Sequence, residues 1–555
     1  MDKELQNRIS SACKKLFGKD VSAQVFRPDE QFGDFSTNCA LKLAGELGSN
    51  PREIAGQIAE ELSADENFKD VSVAGPGFIN ITLQDSVLFT SSMTAHKLEK
   101  TLASRSIVTE YSDPNPFKVL HAGHLYTSVV GDSISNILES AGAKVHRVNY
   151  GGDVGLHVAK TMWAILEKLG GEKPGGLDGI KKDGRADWLA ECYVSGNDAY
   201  EDNPQAKEEM AVLNKKIYKL VEKKDKDSPL GKIYWTTRSW SYEYFDDFYA
   251  RIGISFEKYY PESTVAELGL STVKENTPGI YSESDGAIVY EGEKEGLHTR
   301  VFVTREGLPT YEAKEVGLIL QKQKDYAFDK SVVITANEIS QYMQVVLKSI
   351  EKFAPELVEK TAHLTHGLVK LPGAQKMSSR KGNVLKAVDI IDLAEESSKK
   401  INPSTTPDIV LGAIKYSFLK SGLGGDVIFD AKESVSIEGN SGPYLQYALV
   451  RAKSILQKAG KASESSADEL NGEERSLARK ISIYPEVFAT ALEELSPHHI
   501  CTYLYELAQV FNRFYEKNRV IGDARSDIRI RLVGAYAQVL GSGLDILGIT
   551  TPEKM

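Results

Sequence analysis

Apolar positions change their spacing along the chain, and the changes divide it. Near the start, Asn50-Pro51 offers an N-cap followed by a proline suited to the first helical turn, and Ile54, Ile58 and Leu62 then share one helical face. Phe78 to Leu83 (FINITL) alternates and is rich in β-branched residues, which predicts a strand. Residues 1–104 therefore read as a separate α+β unit, with the polar stretch His96 to Arg105 as a linker helix or boundary. From Ile107 the spacing becomes that of an α/β fold. Ile107 to Tyr111 predicts a short strand, and a loop leads to His121-Ala122-Gly123-His124. Leu125, Val129, Ile134, Leu138 and Ala141 then line one face of a helix that Gly142 ends. Lys144 to Tyr150 alternates as the next strand. Strand, helix, strand in that order predicts a parallel sheet with a right-handed crossover.

Leu169 to Glu209 is polar, opens with glycines, and reads as an inserted surface segment that turns helical later. The α/β pattern returns with a strand at Val301 to Thr304, a helix at Tyr311 to Gln323, a strand at Ser331 to Thr335 and a helix from Ser340 to Phe353. A loop, Gln375 to Asn383 (QKMSSRKGN), precedes a helix beginning near Ala387. From Asp408 onward the pattern is nearly all helical, with long periodic stretches starting at Tyr444 and Tyr503 and an exposed loop at Ser463 to Glu473. The expected architecture is α/β: a doubly wound parallel, Rossmann-like nucleotide-binding domain over 105–385, with an insertion at about 168–260. An α+β domain (1–104) precedes it, and a helical region (386–430) and an all-α domain (431–555) follow.

Composition changes this picture little. With 41% hydrophobic and 26% charged residues the chain can bury several cores, and its length suits about three to five domains. No run of eighteen apolar residues occurs and the start lacks a signal-like apolar run, so a cytoplasmic protein without a membrane span is expected. Cys13, Cys39, Cys192 and Cys501 are scattered and form no C-x-x-C pair, which argues against a cysteine zinc cluster or a disulfide framework. The net charge of −11 speaks against a nucleic-acid coat protein, yet leaves room for local basic stripes.

Candidate chemistry enters at two places. His121-Ala122-Gly123-His124 sits between a predicted strand and a predicted helix. A helix N-terminus offers free N–H groups and a positive dipole end to phosphate, Gly123 lets backbone come close to a ligand, and two imidazoles three residues apart can donate to charge building on an α-phosphate. Alone, H-x-G-H is also what two unrelated loop histidines would look like. A zinc site is not expected, because no acidic partner stands at a zinc-protease spacing. The second place is Lys376-Met377-Ser378-Ser379-Arg380-Lys381-Gly382, where three cations and two hydroxyls can close on a pyrophosphate. By itself such a segment is more often a solvated basic turn.

Together HAGH and KMSSR resemble the two signature motifs of class I aminoacyl-tRNA synthetases, and the wider context resembles the arginyl-tRNA synthetase family. Ser112 to Lys118 (SDPNPFK) is similar to that family's S-x-N-x-x-K lead-in, with one extra residue before the proline. Asn149 to Gly155 (NYGGDVG) resembles its NYxGDWG block, and KMSSRKG is its usual second motif. The resemblance covers nearly the whole chain, including GDFSTNCALKLAGEL and GPGFINITL in the first hundred residues and the ending LGITTPEKM.

The resemblance implies an arginine–tRNA ligase that uses ATP with Mg²⁺, L-arginine and the arginine tRNA, and that activates arginine only with tRNA bound. It implies that His121, His124, Lys118, Gly123, Lys376, Ser378 and Ser379 serve ATP, with either Arg380 or Lys381 replacing a missing signature lysine. Asn115 would hold the amino-acid end; Glu262 and Glu315 would meet the guanidinium, Tyr311 would contact the substrate, and Glu338 and Gln341 compete for a further place. Arginine's planar fork of donors needs such carboxylates. The family's Trp is Val154 here, Leu156-His157 replaces its Thr-Gln, and Glu315 stands where it usually has Asp. The N-terminal domain would read the tRNA elbow and the C-terminal helices the anticodon, where Tyr444, Tyr447, Tyr503 and Tyr515 are candidates to stack and Arg451, Lys453, Arg513 and Lys517 to meet phosphates. A monomer is expected. The rivals are another class I synthetase and a synthetase-like RNA-binding protein without activity, which usually loses signature residues; both motifs are intact here.

Overall fold

The computed structural model describes residues 2–373, 385–460, 463, 467 and 469–555. They fold as two compact units, one of Met1–Leu98, Ala448–Ala489 and Thr502–Gly543, the other of Glu99–Tyr447, Thr490–Cys501 and Leu544–Met555.

In the first unit an antiparallel sheet of four strands, including Phe35–Thr37, Phe68–Ala74 and Phe78–Leu83, packs with helices. Helix Pro51–Ser63 starts as the sequence predicts: Asn50 Oδ1 accepts from Arg52 N at 2.9 Å and Pro51 takes the first position. Arg475, from the C-terminal helices, pairs with the buried carboxylates of Asp34 and Asp85, so both chain ends build this one body. The predicted linker at His96 to Arg105 is a run of turns, and the helix there lies earlier, at Asp85–Thr94.

The second unit carries the parallel sheet. In chain order its elements are β1 (Ser106–Glu110), α1 (Ala122–Ser140), β2 (Lys144–Gly151), α2 (Leu156–Leu169), α3 (Arg185–Asp202), α4 (Pro204–Glu222), α5 (Pro229–Ile252), β3 (Lys258–Pro261), α6 (Glu262–Glu275), α7 (Tyr311–Tyr326), β4 (Lys330–Ala336), α8 (Ser340–Glu351) and β5 (Thr361–His366). All five strands are parallel in the order β5-β4-β1-β2-β3, with Val108 opposite Ser331 on one side and His146 on the other. From β1 the chain winds outward through β2 and β3, then returns to the other side of β1 for β4 and β5. Val108 and Val148 in the sheet pack with Val265 of α6 and Leu318 of α7.

Two expectations need correction. Arg300–Val303 does not join the parallel sheet; it pairs antiparallel with Ala287–Tyr290 in a separate three-stranded sheet. Phe302 is fully buried while Val301 is 41% exposed, the one-sided wetting that antiparallel strands tolerate and central parallel strands do not. Nor is the inserted segment, helical as expected in its later part, confined to the surface. α3, α4 and α5 bury Leu189, Cys192, Leu213, Ile217 and Trp240 in a core shared with Val158 and Met162 of α2.

α6 and α7 touch through their backbones. A Cβ at Gly269 would lie 1.8 Å from the Ala313 carbonyl oxygen, and one at Gly317 would lie 2.2 Å from that of Val265. No side chain fits at either position, and the contact fixes the distance between Glu262 at the head of α6 and Glu315 in α7.

Candidate active site

A cavity of about 540 Å³ opens at the carboxyl ends of β1 and β4. There the winding reverses, and open α/β sheets take ligands at that point. Its wall includes Asn115, His121, Gly123 and His124 on one side and Glu262, Tyr311, Glu315 and Glu338 on the other.

The loop between β1 and α1 turns sharply, with Ser112, Asp113 and Phe117 at φ of 76°, 49° and 69°. Three hydrogen bonds hold it: Tyr150 N donates to Asp113 Oδ1 (2.8 Å), Gly152 N to Asn115 Oδ1 (2.6 Å), and Phe117 N to Ser241 Oγ (2.8 Å). Asn115 is thus tied to the NYGGDVG segment. Val154 of that segment is buried with Phe117 and Tyr234, so this departure from the family pattern is a matter of packing.

At the head of α1 the imidazoles of His121 and His124 stack, centroids 3.7 Å apart and planes 25° apart. His121 N donates to His124 Nδ1 at 3.1 Å. Burial holds His121 down at about 4 and His124 well below the ordinary imidazole value, with neighbouring positive charge adding to both. Both rings are neutral, and since Nδ1 of His124 accepts, Nε2 carries its proton and is free to donate. Gly123 serves this arrangement: a Cβ there would stand 2.9 Å from the His121 ring. Lys118 is half-buried and stands outside the cavity lining; its Nζ lies 5.4 Å from the Tyr193 ring centroid, and burial lowers its pKa while Glu338 opposes that.

The opposite side is built of carboxyls. Glu262 heads α6, and Asp153 caps that helix from outside, with Oδ1 accepting from Ser263 N (2.9 Å) and Oδ2 from Ser263 Oγ (2.7 Å). Arg238 Nε donates to the same Asp153 Oδ2 at 3.0 Å. Lys314 pairs with one oxygen of Glu262, Oε2, both side chains being buried, so at most the other oxygen can meet a guanidinium. Its Oε1 faces Gly152, where a Cβ would come within 3.1 Å. Glu110 is paired in the same way with Lys322. Glu315 differs. Tyr342 OH reaches its Oε2 at 3.4 Å, and its buried Oε1 has no hydrogen-bond partner among the described residues. Burial, then the charge of Glu110, pushes the Glu315 carboxyl up to about 8. Burial likewise raises Asp113, with Glu110 adding to it. Tyr311 OH lies 2.9 Å from His157 Nδ1.

Gln341 is exposed and does not line the cavity. Lys376, Ser378, Ser379, Arg380 and Lys381 lie outside the described residues. Glu110, Asp113, Tyr150, Arg300, Tyr342 and His366 line the cavity and were not singled out from sequence. Glu110, Asp113, Tyr150 and His366 sit at or just past the carboxyl ends of strands, and that rule could have found them. Among the described residues, no group of three or more His, Cys, Asp or Glu side chains is placed to hold a metal ion. In the first unit Tyr503 is a core residue, 2% exposed and stacked on Tyr484, so it cannot stack on a base; Arg451 covers the Tyr515 ring at 4.3 Å.

Three family descriptions match along the chain: "Arginyl tRNA synthetase N terminal domain" over 3–83, "tRNA synthetases class I (R), catalytic domain" over 87–421 and "DALR anticodon binding domain" over 445–555. The arginine–tRNA ligase of Bacteroides fragilis is 28% identical over 600 residues, covering 100% of both chains. That of Cutibacterium acnes is 29% identical, covering 99% of this chain and 100% of its own. In fold the chain is similar to the arginyl-tRNA synthetase of Thermus thermophilus, with a TM-score of 0.80 at 24% identity and 100% of both chains covered.

Proposed function

The chain belongs to the arginyl-tRNA synthetase family of class I tRNA synthetases, and we infer on that footing how its cavity joins L-arginine to the arginine tRNA. The observation that carries the reading is the buried Glu315 oxygen left without a partner in a cavity that also holds a helix N-terminus with two neutral imidazoles. A buried carboxyl without a partner is costly, and a donor-only cation removes that cost.

Arginine lies with its guanidinium toward Glu315, Tyr311 and the open oxygen of Glu262. Its α-amino end lies toward Asn115, and Glu338 lines the rim near Lys118. The arginine carboxylate attacks the α-phosphate of ATP in line; the bond to the β-phosphate breaks, and pyrophosphate leaves with arginyl-adenylate remaining. His124 Nε2 donates to the α-phosphate oxygens as their charge grows, with His121 stacked beside it. The head of α1 adds its dipole. Catalysis is mainly positioning and charge stabilisation, as transfer at phosphorus requires. From sequence, Lys376, Ser378, Ser379 and Arg380 or Lys381 supply the charge that meets the leaving pyrophosphate. Mg²⁺ arrives on the ATP phosphates, which hold it with few protein ligands. A terminal ribose hydroxyl of the tRNA then attacks the activated carbonyl, and AMP leaves. No helix of the described residues is long and apolar enough to cross a membrane, and we place the protein in the cytoplasm, as a monomer.

The test is ATP–pyrophosphate exchange with each amino acid, with and without tRNA. Exchange with arginine alone among the amino acids, and only in the presence of the arginine tRNA, is expected. Exchange with a different amino acid would overturn the specificity, and none with arginine even in the presence of tRNA would make the chain a synthetase-like RNA-binding protein.

A further inference from the structure

We propose that His157 sets the polarity of the Tyr311 hydroxyl, making it an acceptor reserved for the donor-only guanidinium of arginine. This rests on the reading of Tyr311 as an arginine contact. His157 does not line the cavity; it stands half-buried in the first turn of α2, behind Tyr311.

The argument is one of counting protons. His157 Nε2 lies 2.8 Å from the carbonyl oxygen of Gly152, and Nδ1 lies 2.9 Å from the Tyr311 hydroxyl. A carbonyl oxygen can only accept, so Nε2 carries the ring proton. Burial holds the ring's pKa down at about 3, so Nδ1 bears a lone pair at any physiological pH. The Tyr311 O–H must therefore donate to Nδ1, and what its oxygen offers to the cavity is lone pairs only. A guanidinium has five N–H donors and no acceptor, and matches. The ureido group of citrulline has nearly the same shape but a carbonyl in place of one nitrogen, and it would set an acceptor against an acceptor. The tie also reaches the far side of the site: Gly152 N donates to Asn115 Oδ1 at 2.6 Å, so a single string of hydrogen bonds runs Asn115, Gly152, His157, Tyr311.

A glutamine can copy this role, since its amide nitrogen donates and its oxygen accepts, with the same spacing as the two ring nitrogens. The full-length enzyme is assayed by arginine tRNA charging, with citrulline as competitor, for His157→Ala, His157→Leu, His157→Gln, Tyr311→Phe and the doubles with Tyr311→Phe. His157→Ala, or His157→Leu should the alanine variant not fold, is expected to raise the arginine KM about tenfold, the worth of one hydrogen bond to a charged group. The same variants should leave the KM for ATP unchanged and strengthen competition by citrulline. His157→Gln is expected to restore the arginine KM and the discrimination. In the Tyr311→Phe background the His157 changes should add little. A glutamine variant as impaired as leucine, or a full His157 effect in the Tyr311→Phe background, overturns the proposal. Tyr311→Phe with an unchanged arginine KM overturns the underlying reading of the site as well, which separates the two failures.

Discussion

The two sides of the cavity stand in different electrical states before any substrate arrives. Around the head of α1 the imidazoles of His121 and His124 are neutral and stacked, and the helix end contributes partial charge without an ion. Across from it Glu110, Asp113, Glu262 and Glu315 converge. Among the described residues Lys322 answers Glu110 and Lys314 answers Glu262, while Asp113 and Glu315 have no cation within ion-pair distance. The first side holds donors that gain strength only as charge grows on phosphorus. The second holds charge, or the protons that suppress it, until a cation enters. A neutral donor is cheap to bury and an unpaired carboxylate is not. Rate should therefore be governed at the head of α1, and selectivity at the carboxyls, where the protein forgoes stability to obtain it.

Five experiments would break or sharpen that contrast, and the largest effect belongs to the histidine side. His124→Ala should lower the pyrophosphate-exchange kcat by about 10²–10³-fold, the usual loss of one transition-state donor, with the arginine KM barely moved. Near-normal turnover would show that the imidazole does not face the α-phosphate. Glu315→Gln should cut kcat/KM for arginine by about a hundredfold, since the guanidinium then faces an amide. The same change should stabilise the empty protein. The folded carboxyl is raised to about 8, far above its unfolded value, so its contribution to stability is present at low pH and lost as pH rises through 8. A melting series should accordingly show the variant's advantage growing from pH 5 to pH 8.5; a constant difference would mean that Glu315 is ionised in the empty site. In the unmodified enzyme, arginine must displace that proton, so its KM should rise about tenfold from pH 9 to pH 7, and Glu315→Gln should flatten the profile. Least affected should be Gln341→Ala. An exposed side chain outside the cavity should change kcat/KM by no more than about twofold, whereas Glu338→Ala should do more.

Much of this architecture is visible in the chain itself, and the reasons for the exceptions are physical. β1, α1 and β2 are legible because their apolar positions keep a clean period over a long enough run, and Asn50-Pro51 because a cap is a local event. β3 and β5 are not: β3 has four residues, and β5, TAHLTH, is half-buried along most of its length and rich in Thr and His. Arg300–Val303 has the period of a strand, but the period does not say which sheet receives it. The core of α3, α4 and α5 escaped because its apolar residues are sparse within each helix and add up only when the helices pack. In the site, the HAGH pair and the family's carboxylate positions could be marked from sequence. That Lys314 occupies one oxygen of Glu262 could not, because nothing in a run of residues says which neighbour a buried carboxylate will choose. His157 was visible only as a departure from the family pattern; its partners lie at Gly152 and Tyr311, and the second is reached only by folding.

The touching backbones of α6 and α7 bear on anyone who would redesign the pocket for another amino acid. With Gly269 and Gly317 leaving no clearance, the two helices that carry Glu262 and Glu315 cannot approach more closely, and any side chain placed at either glycine would have to push them apart. The closest approach of these helices is set by the two glycines, and what remains adjustable is the reach of the side chains they carry. Exchanging Glu315 for its shorter homologue retunes depth, while the amide that copies His157 should leave the polarity as it is.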